Sequence, residues 1–205
     1  MGGRAELLTS RLETRLTLQQ GMSASDDQDL VRRMLGGGEQ AFADLYSRHQ
    51  RPVFRFVVHM TGSIAIAEDV TQEVFLALIE HGRGFQAARG NLRSFLLGIA
   101  RNHVLRRWAK ERATDQEPEE FDVACEADTL HDLTRQETIE GVRRAVLSLP
   151  PAYREAVVLC DLEDASYEEA AAILACPVGT VRSRISRGRE MLVRKLACLA
   201  EARSA

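Results

Sequence analysis

Apolar residues recur every three or four positions along most of the chain, the period expected when one face of an α-helix is buried. One such run comprises Ile66, Val70, Val74, Ala77 and Leu78, and a second comprises Leu92, Phe95, Leu96 and Ile99. A third, near the C-terminus, comprises Val181, Ile185, Leu192 and Leu196. Because the spacing is not the two-residue period of a strand, the pattern predicts an all-α fold.

Local signals mark the helix ends in the first half of the chain. Three glycines at 36–38 end a first helix, and Gly62 follows a second that spans residues 40–60. Pro52 lies inside that second helix and predicts a kink or a break there. Asn91 precedes the apolar run that starts at residue 92 and is a predicted N-cap.

The second half of the chain carries the signals of a helix-turn-helix. Pro151 suits the first turn of a helix. Ser166 and Glu169 then fit the Ser-x-x-Glu capping box of a short helix. Residues 175–177 form a short turn into a last, basic helix, so the sequence predicts a helix-turn-helix motif.

Charge is distributed unevenly, although 27 basic and 30 acidic residues give a net charge of only −3. Residues 89–112 carry seven basic side chains and one acidic, or +6. Residues 113–140 carry one basic and ten acidic, or −9, and residues 178–195 carry six basic and one acidic, or +5. Each basic helix is either a phosphate-binding surface or an ordinary solvated face.

The acidic stretch divides the chain, since it contains Pro118 and few bulky apolar residues and therefore reads as a linker. We predict a flexible N-terminal extension over residues 1–27, a helical domain over 28–112 and an acidic linker over 113–133. A second helical domain follows over 134–199, with a tail over 200–205. The sequence leaves open whether the two domains are packed together or spread apart.

No stretch approaches the roughly 18 uninterrupted apolar residues of a membrane span, and no secretory signal is evident. We therefore expect a cytoplasmic protein without membrane insertion. The four cysteines, at 125, 160, 176 and 198, are too far apart for a Cys-x-x-Cys pair, and the five histidines are scattered. We expect no metal and no cofactor, and this spacing gives no support to a metal enzyme. Cys160 and Cys176 occupy apolar positions and are interpreted as small core residues in preference to redox sensors.

Polar residues share one side of the helix that contains the first apolar run. Asp69, Gln72 and Glu73 are spaced to meet Arg or Lys on a partner protein, or to form a plain exposed face. In the following basic helix, Trp108 stands among arginines, where it either stacks on a nucleic-acid base or packs against another helix of the same domain. We favour packing for Trp108.

The last helix has a polar and basic face opposite its apolar stripe. A helical wheel places Arg182, Ser183, Ser186 and Arg187 on that face, with Thr180 at its edge and Arg184 at its flank. Arginine and serine in such positions read base edges or anchor phosphates. The capping box, the short turn and the basic face together favour duplex DNA binding over an ordinary helical hairpin.

Five motifs occur in an informative order. The second domain contains Leu-Pro-Pro-Ala-Tyr-Arg-Glu-Ala-Val from residue 149, Ser-Tyr-Glu-Glu-Ala-Ala from 166 and Gly-Thr-Val-Arg-Ser-Arg-Ile-Ser-Arg-Gly-Arg-Glu from 179. The first domain contains Ala-Glu-Asp-Val-Thr-Gln-Glu-Val-Phe from 67 and Leu-Arg-Ser-Phe-Leu-Leu-Gly-Ile-Ala-Arg-Asn from 92. Over about 40–112 and 137–196 the chain resembles the extracytoplasmic-function (ECF) sigma factors, the small two-domain class of the sigma-70 family.

This resemblance implies an initiation subunit of RNA polymerase whose partners are core RNA polymerase, promoter DNA and an anti-sigma factor. In the family, region 2 is a helical bundle that binds the beta-prime clamp helices and opens the minus-10 element. Region 4 is a helix-turn-helix domain that reads the minus-35 element and contacts the beta flap. The linker in this family runs near the active-site channel, although its composition equally fits a passive tether.

The resemblance also assigns site residues. Those implied for core-polymerase binding are Asp69, Gln72, Glu73 and Phe75. Those implied for the minus-10 element are Phe85, Asn91, Arg93, Arg101, Asn102 and Arg106, with Phe85 and Asn91 as candidates for capturing an unstacked base. Those implied for the minus-35 element are Thr180, Arg182, Ser183, Arg184, Ser186 and Arg187.

Three residues depart from the family pattern. Phe95 stands where tryptophan is frequent, and Arg106 stands where an acidic or neutral polar residue is common. Ala175 replaces the usual glycine of the helix-turn-helix, which predicts a modified turn geometry. The alternative function is a stand-alone helix-turn-helix regulator, which would dimerise on a two-fold site without polymerase.

Overall fold

The computed structural model describes residues 26–86, 90–114 and 135–201, and in these ranges every regular element is a helix. The all-α prediction is confirmed. Of the linker predicted over 113–133, residues 113 and 114 belong to a helix instead, and the rest lies outside the described residues. The extension up to residue 25 and the end of the tail also lie outside them.

The first four helices form one unit, which we call the N-terminal bundle. They are α1 (26–35), α2 (Glu39–Thr61), α3 (Ile64–His81) and α4 (Leu92–Thr114), with a short 3-10 turn at Gly82–Gly84. The predicted stripes of α3 and α4 face inward, and their largest buried side chains include Leu78, Leu92 and Leu96. Hydrophobic burial along these stripes holds the bundle together.

Caps position the ends of α3 and α4. The Ser63 side chain accepts a hydrogen bond from the Ile66 amide at the start of α3. Asn91 Oδ1 accepts a hydrogen bond from the Ser94 amide at 2.8 Å, which confirms the predicted N-cap of α4.

Of the two outcomes predicted at Pro52, the break is absent, because α2 continues as one helix from Glu39 to Thr61. Proline removes one backbone hydrogen bond and typically costs about 3 kcal/mol inside a helix. Here Val53, Phe56 and Val57 follow it and are fully buried. Their burial against α3 and α4 keeps the helix in register despite the missing bond.

The folded bundle includes two residues that the sequence assigned to the extension. Asp27 is buried, and its Oδ1 accepts a hydrogen bond from Arg48 Nη1 at 2.7 Å. Its Oδ2 lies 2.9 Å from Nε2 of the buried His49. These contacts fasten α1 to α2, so the bundle begins by residue 26.

The remaining helices form the second unit, which we call the C-terminal domain. They are α5 (Arg135–Leu147), α6 (Pro151–Val157), α7 (Tyr167–Leu174) and α8 (Val178–Glu201). A π-helical turn, Val158–Leu162, follows α6. The capping box at Ser166 and Glu169 is confirmed, with both reciprocal hydrogen bonds present.

Ala175 joins α7 to α8 in the left-handed conformation, with φ 50° and ψ 45°. This is the conformation that glycine adopts most readily at a helix C-terminus. The expectation of a modified turn is therefore corrected, since alanine takes up the glycine geometry and bears a steric cost of about 1–2 kcal/mol.

Replacing Ala175 with glycine is expected to raise the free energy of unfolding by roughly 1 kcal/mol, because the relief of strain exceeds the entropic cost of glycine. Urea unfolding followed by circular dichroism measures the change. Ala172→Gly is the matched control, since Ala172 is exposed within α7 and glycine there destabilises by up to about 1 kcal/mol. Equal changes in the free energy of unfolding for Ala175→Gly and Ala172→Gly would show that the backbone at Ala175 is not strained.

The two units are packed together, which answers the question the sequence left open. Helix α2 contacts α5 and the π-helical turn, and α4 contacts α7. Where α2 ends, Gly62 lies close to the Leu147 side chain of α5, so closely that a Cβ on residue 62 would come within 2.9 Å of Leu147 Cδ1. The side chains that join the units are described below.

Candidate polymerase and promoter interfaces

Helix α3 presents a mixed polar and apolar surface. Asp69 and Gln72 are exposed, as predicted, and so are Leu76 at 58% and Ile79 at 46%. These four residues lie within about a third of the helix circumference, and we call them the α3 stripe. Sequence reasoning missed Leu76 and Ile79, although their spacing of seven and ten residues from Asp69 was visible.

Glu73 lies beside the α3 stripe and is held within the bundle. Its Oε2 lies 2.8 Å from His103 Nδ1, and its Oε1 accepts a hydrogen bond from Arg107 Nη2 at 3.3 Å. The same Arg107 nitrogen lies 3.5 Å from Asp69. Glu73 therefore couples α3 to α4 as well as bordering the exposed surface.

Phe75 is placed differently from its expected role at the surface. Its side chain is 2% exposed and packs against Tyr46, with ring centroids 4.7 Å apart, and against Phe42 at 6.3 Å. A partner protein has no access to this ring, because it lies in the core. Phe75 supports the α3 stripe from beneath.

Phe85 is also buried, with 8% of its surface exposed. Its ring lies 5.6 Å from that of Phe95, centroid to centroid. In this position Phe85 is unavailable for stacking on an extruded base, contrary to its expected role. Phe95, which departs from the family pattern, provides the aromatic partner.

Residues expected to act at the minus-10 element fall into two groups. Asn102 and Arg106 are exposed on α4. Asn91, Arg93 and Arg101 are partly buried, and each binds a carboxylate of the C-terminal domain. Sequence spacing did not predict this division.

The carboxylates concerned are Glu155, Glu163 and Glu169, which we call the interdomain carboxylates. Glu163 is fully buried, and its Oε2 accepts hydrogen bonds from Arg55 Nη2 and Arg93 Nη2, each at 2.8 Å. Its Oε1 accepts a third from Arg55 Nε at 3.2 Å. Hydrogen bonding to Glu163 raises the pKa of Arg55.

The other two interdomain carboxylates extend this contact along α4. Glu155 is 3% exposed, and its Oε2 accepts a hydrogen bond from Arg101 Nη2 at 3.1 Å. Glu169 Oε1 accepts a hydrogen bond from Asn91 Nδ2. Among the described residues, Nε of Arg93 and Nε of Arg101 are both buried without a hydrogen-bond partner.

Trp108 packs at the same junction. The guanidinium of Arg154 lies over its ring at 5.6 Å, and Arg154 Nη1 donates a hydrogen bond to the Met60 carbonyl oxygen at 2.6 Å. Trp108 is a packing residue, as favoured, but this contact is made with the C-terminal domain and not with a helix of its own domain. Local sequence did not indicate this partner.

The exposed face of α8 agrees with the helical wheel. Arg182, Ser183, Ser186 and Arg187 are exposed, while Thr180 and Arg184 are half-buried at the margins. We call the four exposed residues the recognition face. The opposite side is buried, and Val181 and Ile185 belong to the core.

Contacts within the C-terminal domain orient the arginines of α8. The Arg182 guanidinium lies 5.7 Å from the centre of the Tyr167 ring. Arg189 donates two hydrogen bonds to the Asp161 carboxylate, at 2.5 and 3.0 Å, which raise the pKa of Arg189. Arg189 is thereby held at the flank of the recognition face.

Cys160 and Cys176 are both half-buried free thiols. Burial raises the pKa of Cys160 to about 11. Because the thiolate is the reactive form, this environment opposes a redox-sensing role for Cys160.

We expect iodoacetamide to modify Cys160 at pH 7.5 at least about tenfold more slowly than in the urea-unfolded chain, since the folded thiol is both half-buried and rarely ionised. Mass spectrometry of the peptide containing Cys160 follows the reaction. Equal rates in folded and unfolded protein would show that the thiol is accessible and ionised.

Within 26–86, 90–114 and 135–201, no group of histidine, cysteine or acidic residues is arranged to hold a metal ion. The helices of the same ranges include none that combines the length and apolarity needed to cross a membrane.

Comparison with protein families gives two matches that follow the two units. The sigma-70 region 2 family matches residues 45–114, and the sigma-70 region 4 family matches residues 139–192. The first match contains the exposed α3 surface and α4. The second contains the helix-turn-helix.

Full-length relatives agree. RNA polymerase sigma-H factor of Pseudomonas aeruginosa is 30% identical over 185 residues, covering 85% of this chain and 96% of that protein. ECF RNA polymerase sigma-E factor of Escherichia coli K12 is 33% identical over 180 residues, covering 83% and 94%.

Solved structures show the same fold. Sigma factor RpoE of Bartonella quintana, in complex with the anti-sigma factor NepR, is 26% identical, with a TM-score of 0.63 over 76% of this chain and 96% of that one. CnrH in complex with the cytosolic domain of CnrY is 24% identical, with a TM-score of 0.65 over 84% and 97%. From both domain matches and these full-length relatives, the chain belongs to the ECF sigma factors of the sigma-70 family, the alternative initiation factors of bacterial RNA polymerase.

Proposed function

We propose that this sigma factor binds core RNA polymerase through the α3 stripe and directs it to promoters that its two units read at the minus-10 and minus-35 elements. The observation that carries the proposal is the exposure, on one chain, of two different surfaces. One is a mixed acidic and apolar helix face, and the other is a basic helix-turn-helix face. A stand-alone regulator could use the first surface to dimerise, but that surface lies within the sigma-70 region 2 match, which supports a polymerase partner instead.

The α3 stripe suits a protein partner better than a nucleic acid. Leu76 and Ile79 offer apolar area, and Asp69 supplies negative charge beside it. Exposed apolar residues bordered by charge are typical of protein interfaces. We assign this surface to the beta-prime clamp helices, with Gln72 at its centre and Glu73 at its border.

The face of α4 suits the minus-10 element. Arg106 and Asn102 are exposed on α4, whereas Arg93, Arg101 and Asn91 lie at the junction with the C-terminal domain. Arginine and asparagine bind phosphates and base edges of an opened strand. Because Phe85 is buried against Phe95, we assign base capture to Asn91.

The recognition face suits the major groove of the minus-35 element. Its two arginines are placed to bind base edges, and its two serines to bind bases or phosphates. Thr180 and Arg184 flank this face and anchor phosphates. The beta flap then fixes the C-terminal domain relative to the start site, which raises the effective concentration of each unit at its own element.

The partners named for the solved relatives extend the proposal to regulation. RpoE and CnrH were each solved with another protein, which for RpoE is an anti-sigma factor. We propose an anti-sigma factor for this chain as well. The anti-sigma factor would act in the compartment that contains the polymerase. Its target, this chain, would be an initiation subunit without a catalytic centre of its own.

Reconstitution tests the proposal directly. Purified protein is mixed with core RNA polymerase that lacks sigma factors, passed over a gel-filtration column and assayed for transcription on a library of genomic fragments. We expect co-elution and initiation at a limited set of sites that share two spaced elements. Specific binding of duplex DNA by a dimer, without binding to core polymerase, would favour the stand-alone regulator instead.

A further inference from the structure

The junction between the two units brings acidic side chains onto the surface assigned to the minus-10 strand. Arg93 of α4 donates a hydrogen bond to Glu163, which is 70 residues away in sequence. Arg101 donates one to Glu155, which is 54 residues away. Asn91 is bound by Glu169 in the same way. Three of the six residues assigned to promoter opening therefore already have an anionic or acceptor partner within the chain.

Carboxylate and phosphate groups compete for the same arginine donors. Each presents two oxygens with negative charge to the planar guanidinium, and arginine binds both in similar geometry. Glu163 accepts hydrogen bonds from Arg93 and Arg55 through a single oxygen. With Glu163 in place, a DNA phosphate has no access to that side of Arg93.

The fit is incomplete on the arginine side. Nε of Arg93 and Nε of Arg101 are buried, and neither has a hydrogen-bond partner among the residues that the structure describes. Burying such a donor carries a desolvation cost. Glu163 and Glu155 are themselves nearly inaccessible to solvent, so their charges rely on these pairs. The favourable free energy of pairing is therefore offset by the cost of removing these groups from water. The net free energy that holds the contact is small, so the contact is suited to opening.

The local backbone also favours a specific placement of Glu163. The π-helical turn Val158–Leu162 ends immediately before Glu163, and the Glu163 amide donates a hydrogen bond to the Val158 carbonyl oxygen at 2.9 Å. Such turns are uncommon and often occur at functional sites. Here the turn aims Glu163 out of the C-terminal domain and between two arginines of the N-terminal bundle.

We propose that the interdomain carboxylates act as an internal mimic of the promoter strand, closing the free protein so that the minus-10 surface becomes available only when the C-terminal domain moves away. The inference rests on the proposed function, since it takes α4 as the strand-binding surface. The state of the junction then decides whether Arg93 and Arg101 bind carboxylate or DNA.

Small-angle X-ray scattering of the full chain tests the closure. We expect the radius of gyration to increase in Glu155→Gln/Glu163→Gln, which keeps the shape of both side chains and removes their charge. The matched control is Glu168→Gln/Glu190→Gln, which removes two exposed charges from the same domain and is expected to leave the radius unchanged.

A second variant, changed on the N-terminal side of the junction, tests the closure independently should Glu155→Gln/Glu163→Gln fail to fold. Arg55→Gln removes a partner of Glu163 from the N-terminal bundle without touching a residue assigned to DNA. Arg51→Gln is its control, one turn away on α2 and exposed. Expansion in Arg55→Gln but not in Arg51→Gln supports the closure, and an unchanged radius in both Arg55→Gln and the double glutamine variant overturns it.

Strand binding tests the mimicry. Binding is measured by fluorescence anisotropy with a labelled pool of random single-stranded DNA of about 20 nucleotides. We expect Glu155→Gln/Glu163→Gln to bind this DNA about tenfold more tightly than its control, because the open state is a minor population of the wild type. Expansion without tighter binding would refute the mimicry. Co-elution of each protein with core polymerase is measured in parallel, so that failure of the proposed function, seen as wild type that does not bind core, is distinguished from failure of this inference.

Discussion

Core RNA polymerase is expected to bind the variant Leu76→Asp/Ile79→Asp at least about 100-fold more weakly than the wild type. Both side chains are exposed in the free protein, so their replacement leaves the core of the bundle intact. Truncating a residue at the energetic centre of an interface costs about 2 kcal/mol or more, and replacing two apolar contacts with charge is expected to cost more than 100-fold in affinity. The new carboxylates also lose solvation when the interface closes.

Gel-filtration co-elution and a fluorescence titration against core polymerase measure the effect. Ile64→Asp is the matched control, because Ile64 is 58% exposed on the same helix but lies outside the α3 stripe, about three turns along the helix from Leu76. An acidic residue at that first position of α3 is also favourable to the helix. If Ile64→Asp and Leu76→Asp/Ile79→Asp weakened binding equally, the α3 stripe would not be the polymerase-binding surface.

Loss of the Arg187 side chain is expected to weaken recognition of the minus-35 element by about 1–3 kcal/mol, or roughly five- to 150-fold in affinity. Arg187 is exposed on the recognition face, and a guanidinium in a DNA groove can bind two acceptors on one guanine. Arg182→Ala is expected to act in the same direction. The contact of Arg182 with the Tyr167 ring fixes its position before DNA binds.

Transcription by reconstituted holoenzyme, on a responsive promoter and on versions with each upstream base pair changed, measures this effect. A base-reading arginine discriminates between these templates, and its removal reduces that discrimination. Arg194→Ala is the control, because Arg194 is exposed two turns further along the same face of α8. Loss of a phosphate contact there is expected to reduce transcription from all templates by the same factor. Uniform weakening by Arg187→Ala as well would reassign Arg187 to the phosphate backbone.

The predictions from sequence that the structure confirms concern single helices. The stripes of α3 and α4, the cap at Asn91 and the capping box at Ser166 depend on residues a few positions apart. The recognition face is of the same kind, since a wheel of one helix fixes which side chains lie opposite its apolar stripe. Local spacing is sufficient for such features because the partner groups belong to the same turn or the next.

Corrections arose where packing overrode a local rule. Pro52 did not break α2, and Ala175 adopted a left-handed conformation without glycine. In both places burial of neighbouring side chains offsets a local cost of a few kcal/mol. Phe75 and Phe85 were assigned to surfaces from their motifs, but aromatic partners from other elements hold them inside the bundle.

By itself the sequence determined the helical class, the helix-turn-helix, the separation of basic and acidic segments and the resemblance to a sigma factor. Only the tertiary structure decided which charges meet. Glu163 and Arg55 are 108 residues apart, and Glu155 and Arg101 are 54 apart, so no periodicity links them. The reason is physical: periodicity along one helix reports that a face is covered, whereas the element that covers it is set by how the whole chain packs.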